Sequence, residues 1–321
     1  MFTDFEEFIE SIGDSQRPLS ISSLYALSKA TEAEMGAFIE RWPKIEVERR
    51  RRIIHSLVEI AEASFEVDFD AIFRFCLTDG DEEVRAKAID GLWEDEDVAL
   101  IDPLVSMLKG DPSTLVRAQA AIALGQFALM AELEELNERL GGIVRKALLG
   151  VIRDFEEAME VRRRAVEAIS FFGDEEVGGI IEAAYCDAEE KMRISAVFAM
   201  GRNADPYWNE IAMGELESPN LEMRFEAARA CGELESAEAV PKLIRLIGDP
   251  DREVQGAAIW ALGQIGGEEA RRVLQACCRS DDEVLREAAE DALAELEFFS
   301  DPLALSSYLL DIEEDEDLLD L

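Results

Sequence analysis

The sequence predicts an all-α protein, a right-handed solenoid of about eight helical hairpins behind an N-terminal helical cap. Three observations carry this expectation. One ten-residue helical pattern recurs at a nearly constant interval, and each copy sets small and apolar residues on a single helix face. At 321 residues the chain also exceeds the length that one hydrophobic core ordinarily serves.

The repeat is found by laying the chain on itself. The segments VRAKAIDGLW, VRAQAAIALG, VRRRAVEAIS, MRISAVFAMG, MRFEAARACG and VQGAAIWALG align without gaps, with second residues Arg85, Arg117, Arg162, Arg193, Arg224 and Gln255. Successive intervals are 32, 45, 31, 31 and 31 residues. Weaker copies register on Arg50 and Leu285. A period of this length marks stacked supersecondary units, each too small to bury its own apolar face.

Three residues past the register stand Ala88, Ala120, Ala165, Ala196, Ala227, Ala258 and Ala288, with further apolar residues at helical spacing. Alanine lets helix backbones approach closely while larger neighbours fill the layer. Ahead of each such helix runs a second amphipathic segment, such as VALIDPLVSML or AVPKLIRLIG, ending in turns such as GDPST, ESPNL and GDPDR. Asp and Ser there cap free amides, and Pro fits the first helical turn. Each unit is therefore a hairpin. Six residues before the register come Asp79, Asp111, Glu156 and Asp187, in reach of an arginine of their own or an adjacent unit. With Arg85, Arg117, Arg162, Arg193 and Arg224 they are expected to form a structural ladder, because residues repeated in every unit serve what every unit shares.

The pattern D-x-x-x-x-V-R-x-x-A-x-x-x-L-G, over roughly residues 44 to 298, resembles the HEAT repeats, in the short form also found in phycobilin lyase-like proteins. The resemblance implies that the ladder follows the core edge and that the helices carrying the arginines line a concave surface. Deoxyhypusine hydroxylases resemble the same fold but hold iron through His-Glu pairs; the sole histidine here is His55. Phycobilin lyases keep a tetrapyrrole-handling alternative open, and a purely structural assembly factor is a third.

Residues 1 to 43 are helical in pattern without the repeat and are expected to cap the array. The 45-residue interval places a longer unit around 126 to 157, in which Gly141 and Gly142 are expected to mark a break. Residues 299 to 321, ending DIEEDEDLLDL, are expected to be a disordered acidic tail.

Composition narrows function mainly by exclusion. Lys and Arg number 32 against 72 Asp and Glu, a net charge of -40, which opposes nucleic acid because affinity for it comes from neutralising phosphates. Five cysteines without a CxxC pair fit a reducing cytoplasm. No signal peptide is evident, and no stretch approaches the roughly 20 apolar residues of a membrane span, so no membrane insertion is expected. No phosphate-loop, dinucleotide or nucleophile-elbow motif occurs, and no catalytic, cofactor or metal residue is assigned. The run Arg49 to Arg52 is expected to pair within the chain, with Glu46 and Glu48.

The informative positions are those that break the repeat. Five residues after the register, where a helix of this kind faces solvent, stand Asp90, Ile122, Glu167, Phe198, Arg229 and Trp260. One residue after it come Ile194 and Phe225. Two readings stay open: Ile122, Ile194, Phe198, Phe225 and Trp260 form a discontinuous apolar groove rimmed by Arg202, Arg229 and acidic side chains, or they are buried against neighbouring units. Aromatic and arginine anchors dominate protein interfaces. The first reading makes the chain a non-catalytic scaffold gripping a peptide or helix of a protein partner, with a basic or apolar segment.

Overall fold

The computed structural model describes residues 4–300, which form α-helices and short 3-10 turns with no strand among them. The solenoid class is as expected from the sequence. The acidic tail lies outside the described residues from position 301 onward; residues 299 and 300 close the last helix. Two compact bodies meet after Ile169.

In the first body, α1 (Asp4–Gly13), α2 (Ile21–Leu24), α3 (Glu32–Arg41) and α4 (Val47–Ala63) lead into three hairpins. These are α5 (Asp70–Cys76) with α6 (Glu82–Asp90), α7 (Ile101–Gly110) with α8 (Thr114–Glu132), and α9 (Glu138–Ile152) with α10 (Met159–Ile169). The second body holds four: α11 (Glu175–Tyr185) with α12 (Glu190–Asn203), α13 (Asn209–Glu215) with α14 (Leu221–Glu233), α15 (Val240–Leu246) with α16 (Arg252–Ile265), and α17 (Gly267–Cys277) with α18 (Glu283–Ser300). Second helices stack on second helices: α4, α6, α8 and α10 in one body, α12, α14, α16 and α18 in the other.

The alanines account for this stacking. Ala88, Ala120, Ala165, Ala196, Ala227 and Ala258 are fully buried. Glycine completes the contact eight residues past the register. A methyl on Gly201 would stand 2.9 Å from the Ala230 Cα of the next hairpin, and one on Gly232 2.9 Å from the Ala261 Cα. Gly263 repeats the arrangement against Ala292. Such distances admit no side chain, so Leu-Gly at the end of the repeat is a condition of helix approach.

This geometry corrects the register of the last copy. Ala289, not Ala288, is the fully buried alanine of α18, and Arg286 donates to the Ser280 carbonyl six residues back. Arg85, Arg117, Arg193 and Arg224 make the same bond, to Asp79, Asp111, Asp187 and Ser218. The register therefore falls on Arg286, and Val284 had mimicked the usual apolar residue before Arg.

The ladder joins adjacent hairpins. Arg50 donates to Asp79, Arg85 to both oxygens of Asp111 at 2.9 and 2.8 Å, and Arg224 to both oxygens of Asp249 at 2.8 and 3.0 Å. Asp249 was not among the expected rungs, although it stands six before Gln255. Burial alone would raise its carboxyl pKa, but Arg224 and the Asp251 amide hold it below the usual range. Aspartate suits the position because its short side chain also accepts from the amide two residues on, at Asp81, Ser113, Glu189 and Asp251.

Glu156 is a correction. Arg117 pairs with Glu157 instead, at 2.9 and 2.8 Å, while Glu156 faces solvent. Asp154 takes the turn here by accepting from the Glu156 amide, and the longer Glu157 reaches the arginine from one residue later. Arg162 lies over the Phe155 ring at 4.8 Å. Arg193 donates to the carbonyls of Asp187 and Ala188; the position six before Arg224 is Ser218, so no carboxylate stands there to meet it.

The arginine run points four ways, because successive helix residues turn about 100°. Arg49 is buried and donates to the carbonyls of Ile12 and Arg17, tying down the chain after α1. Arg51 pairs with Asp81, Glu83 and Glu48, and Arg52 is exposed. Glu48 is thus one partner as expected, Glu46 is not, and the main acceptors lie in the next turn.

The longer unit arises from α8 and α9, of 19 and 15 residues. Gly141 and Gly142 lie inside α9 and do not break it; a methyl on Gly141 would meet Ala131 at 2.9 Å, so it permits close approach to α8. The expectation that no segment approaches membrane-spanning length is also corrected: α8 is long and apolar enough by length and composition alone. Its buried face, with Val116, Ala120, Leu124, Phe127 and Ala128, is a core face of the hairpin stack.

Candidate partner-binding face

In the second body, α12, α14 and α16 present the same two helix positions side by side. Five past the register come Phe198, Arg229 and Trp260; one turn on come Arg202, Glu233 and Gln264. Spacing of four on each helix puts the members of a pair together.

These side chains form one connected row. The Arg202 guanidinium lies over the Phe198 ring at 5.4 Å, and that of Arg229 over Trp260 at 4.9 Å. Both arginines reach the same oxygen of Glu233, each at 3.4 Å. The side chains of Arg202 and Arg229 are about one-third exposed, at 34% and 35%, whereas that of Glu233 is more buried. The Nε of Arg202 is buried without a hydrogen-bond partner. Two guanidiniums thus share one carboxylate through long contacts, each also held over an aromatic ring.

The expected groove is corrected in two respects. Ile194 is only 9% exposed and belongs to the core, because its position turns it toward the neighbouring helices. Arg202 and Arg229 lie across the aromatic rings, not along a rim. Phe198, Phe225 and Trp260 are half-buried, a state between the two sequence readings. Glycine again shapes the local packing: Gly232 leaves room for the Trp260 ring edge, which would lie 2.7 Å from a methyl there. On its other side Trp260 borders a depression of about 470 Å³ shared with Gly256, Ala288, Asp291, Ala292 and Glu295.

Ile122 occupies the equivalent position in the first body and is 41% exposed. It lies on α8. The first residues of that helix face, Leu115 and Gln119, border a cleft of about 430 Å³ containing Arg51, Arg52, His55, Lys87, Glu48, Glu83 and Asp90. Charges of both signs balance there. Glu167, at the same repeat position in α10, is buried and pairs with Arg163 and Arg164.

The row and Glu233 were only partly legible. Phe198 and Trp260 broke the repeat and Arg202 and Arg229 were expected at their rim, but Glu233 was one unnamed acid among many. The polar positions Arg202, Glu233, Gln264 and Glu295, which recur every 31 residues, are the signal that would have found it. Gln264 indeed donates to Glu295 at 2.8 Å.

Four of the five cysteines offer no reactive counterpart. Burial pushes the thiols of Cys76, Cys277 and Cys278 above their ordinary pKa, and that of Cys231 to about 12. Protonated thiols are poor nucleophiles near neutral pH.

Stacked hairpins with an Arg–Asp ladder and close Gly–Ala approaches define a helical-repeat solenoid. The chain belongs to the HEAT-repeat family: the HEAT repeats match residues 70–147 and 210–294, just over half of it. The match carries no information about phycobilin lyases. No curated protein matches. Among solved structures, YibA of Escherichia coli is similar at 17% identity over 75% of this chain and 96% of its own, with a TM-score of 0.44. Human deoxyhypusine hydroxylase is similar at 18% identity over 91% and 97%, with a TM-score of 0.35. Kap95p, solved with RanGDP, is similar at 14% identity over 95% of this chain and 48% of its own, with a TM-score of 0.44. HEAT-repeat folds generally serve as protein-interaction scaffolds and are generally non-catalytic, although the hydroxylase is an enzyme.

Proposed function

We propose that this protein is a non-catalytic adaptor that holds a peptide or helix of a protein partner on the face of α12, α14 and α16. The row Phe198–Arg202–Glu233–Arg229–Trp260 carries the reading. Its rings and guanidiniums are the residue types that supply most binding energy at interfaces. They are half-buried and so already ordered, which lowers the entropy cost of binding. Sharing one carboxylate leaves both arginines with donors to offer a partner's carbonyls or carboxylates.

The test is affinity capture from native lysate with the wild-type chain and an Arg202→Glu/Arg229→Glu variant, with a photo-crosslinker at Phe198 identifying what touches the row. A protein crosslinked at Phe198 and lost at least about tenfold on the variant is the expected result. Equal capture by both proteins, with circular dichroism unchanged, refutes the assignment.

A further inference from the structure

The row in the second body leaves unexplained a second apolar feature, on α8 in the first. That helix is apolar on two faces. One packs in the hairpin stack; the other carries Leu115, Ile122 and Leu129, exposed by 48%, 41% and 38%, and ends in Leu133 at 57%. Single exposed leucines need no explanation. These follow one another by 7, 7 and 4 residues, with the half-buried Gln119 and Gln126 completing the alternating spacing of 4 and 3. This heptad-spaced seam is apolar at alternate positions, with Gln119 donating to Asp90 of α6, and from Leu115 to Leu133 it is about 27 Å long at 1.5 Å per residue. The extra length of α8 is what extends it to Leu129 and Leu133.

Charge selects the occupant. Just past the seam, Glu134, Glu135 and Glu138 are exposed, against one exposed cation, Arg139. The C-terminal end of α8 adds the negative pole of the helix dipole there. At the other end the cleft holds three cations, Arg51, Arg52 and Lys87, opposite three acids, Glu48, Glu83 and Asp90, and favours neither sign. A second copy would bring the same glutamates and a further net charge of -40, so self-pairing is opposed.

We infer that the α8 seam is a docking site for an amphipathic helix of another protein, with Leu or Ile at coiled-coil spacing and a Lys/Arg cluster at the end that meets Glu134 to Glu138. Its test separates it from the aromatic row.

The probe is a fluorescent helical peptide of about 20 residues with leucines at that spacing and Lys/Arg at one end, titrated against the full chain by anisotropy. Saturable binding is expected, weakening with salt and falling at least about tenfold with Ile122→Gln/Leu129→Gln. Both residues are exposed, and circular dichroism checks the fold. A peptide with Glu in place of its Lys/Arg cluster should bind at least about tenfold more weakly. The Arg202→Glu/Arg229→Glu protein should keep full affinity; loss there would assign the peptide to the other face and overturn the inference. Equal binding by the seam variant or by the acidic peptide also overturns it. So does a dimer in light scattering that the seam variant dissolves, or seam-dependent binding to phosphatidylcholine vesicles.

Discussion

At the scale of single residues, burial and pairing set which charges help the fold. Asp70 opens α5, where a helix N-terminus favours a carboxylate, yet its pKa is raised from 3.8 to about 6. Burial is the main cause, followed by Asp95 and Asp68; Arg74, the nearby cation, is occupied by both oxygens of Asp95. The folded state thus prefers neutral Asp70, and the associated penalty appears as pH rises through about 6 and vanishes below 3.8. Asp70→Asn should therefore raise the melting temperature near pH ~8 and leave it unchanged near pH ~3.5, as paired thermal scans would show. Nothing in the sequence marked Asp70, because its perturbation depends on residues brought together from two turns. The Arg–Asp rungs were legible because a fixed spacing generated them, and Glu157 was missed in favour of Glu156 where a glutamate replaced the aspartate and shifted that spacing.

Among the helices, the same residue type has opposite consequences according to what faces it. Gly232 and Gly256 are both helical, and alanine is favoured over glycine in a helix by about 1 kcal/mol. A methyl at Gly256 meets nothing within 4 Å, whereas one at Gly232 meets the Ala261 backbone at 2.9 Å. Gly256→Ala should then stabilise by about 0.5–1 kcal/mol. Gly232→Ala should destabilise by about 1–3 kcal/mol, since a backbone can yield only by displacing its helix. Denaturant titrations of the two variants would compare the effects; equal shifts would remove the close-approach account. Helix pairing was legible because alanine and glycine recur in phase. The register of α18 was not, since only packing shows whether Leu285 or Arg286 occupies the repeated position. The half-burial of Phe198 and Trp260 was equally hidden, because it depends on guanidiniums contributed by Arg202 on one helix and Arg229 on another.

For the whole molecule, stability is a sum of hairpins and the joints between neighbours, so a change at one joint need not alter the others. In the joint between α12 and α14, Ser218 stands where the turns before Arg85, Arg117 and Gln255 carry Asp79, Asp111 and Asp249, as Ser280 does in the joint between α16 and α18. Ser218→Asp should give Arg193 the carboxylate it lacks and add up to about 1 kcal/mol, seen as slower amide exchange in α12 and α14 with little change in the first body. An unchanged exchange rate would mean that the ladder is not what couples these hairpins. The missing carboxylate also has a mechanical meaning. Bending strain in a chain of coupled elements collects in its more compliant links, and the α12–α14 joint, which carries Phe198, Arg202 and Arg229, is short of one rung. The face proposed to hold a partner therefore spans a joint that lacks a rung, so tension across that joint would be felt as a change in grip.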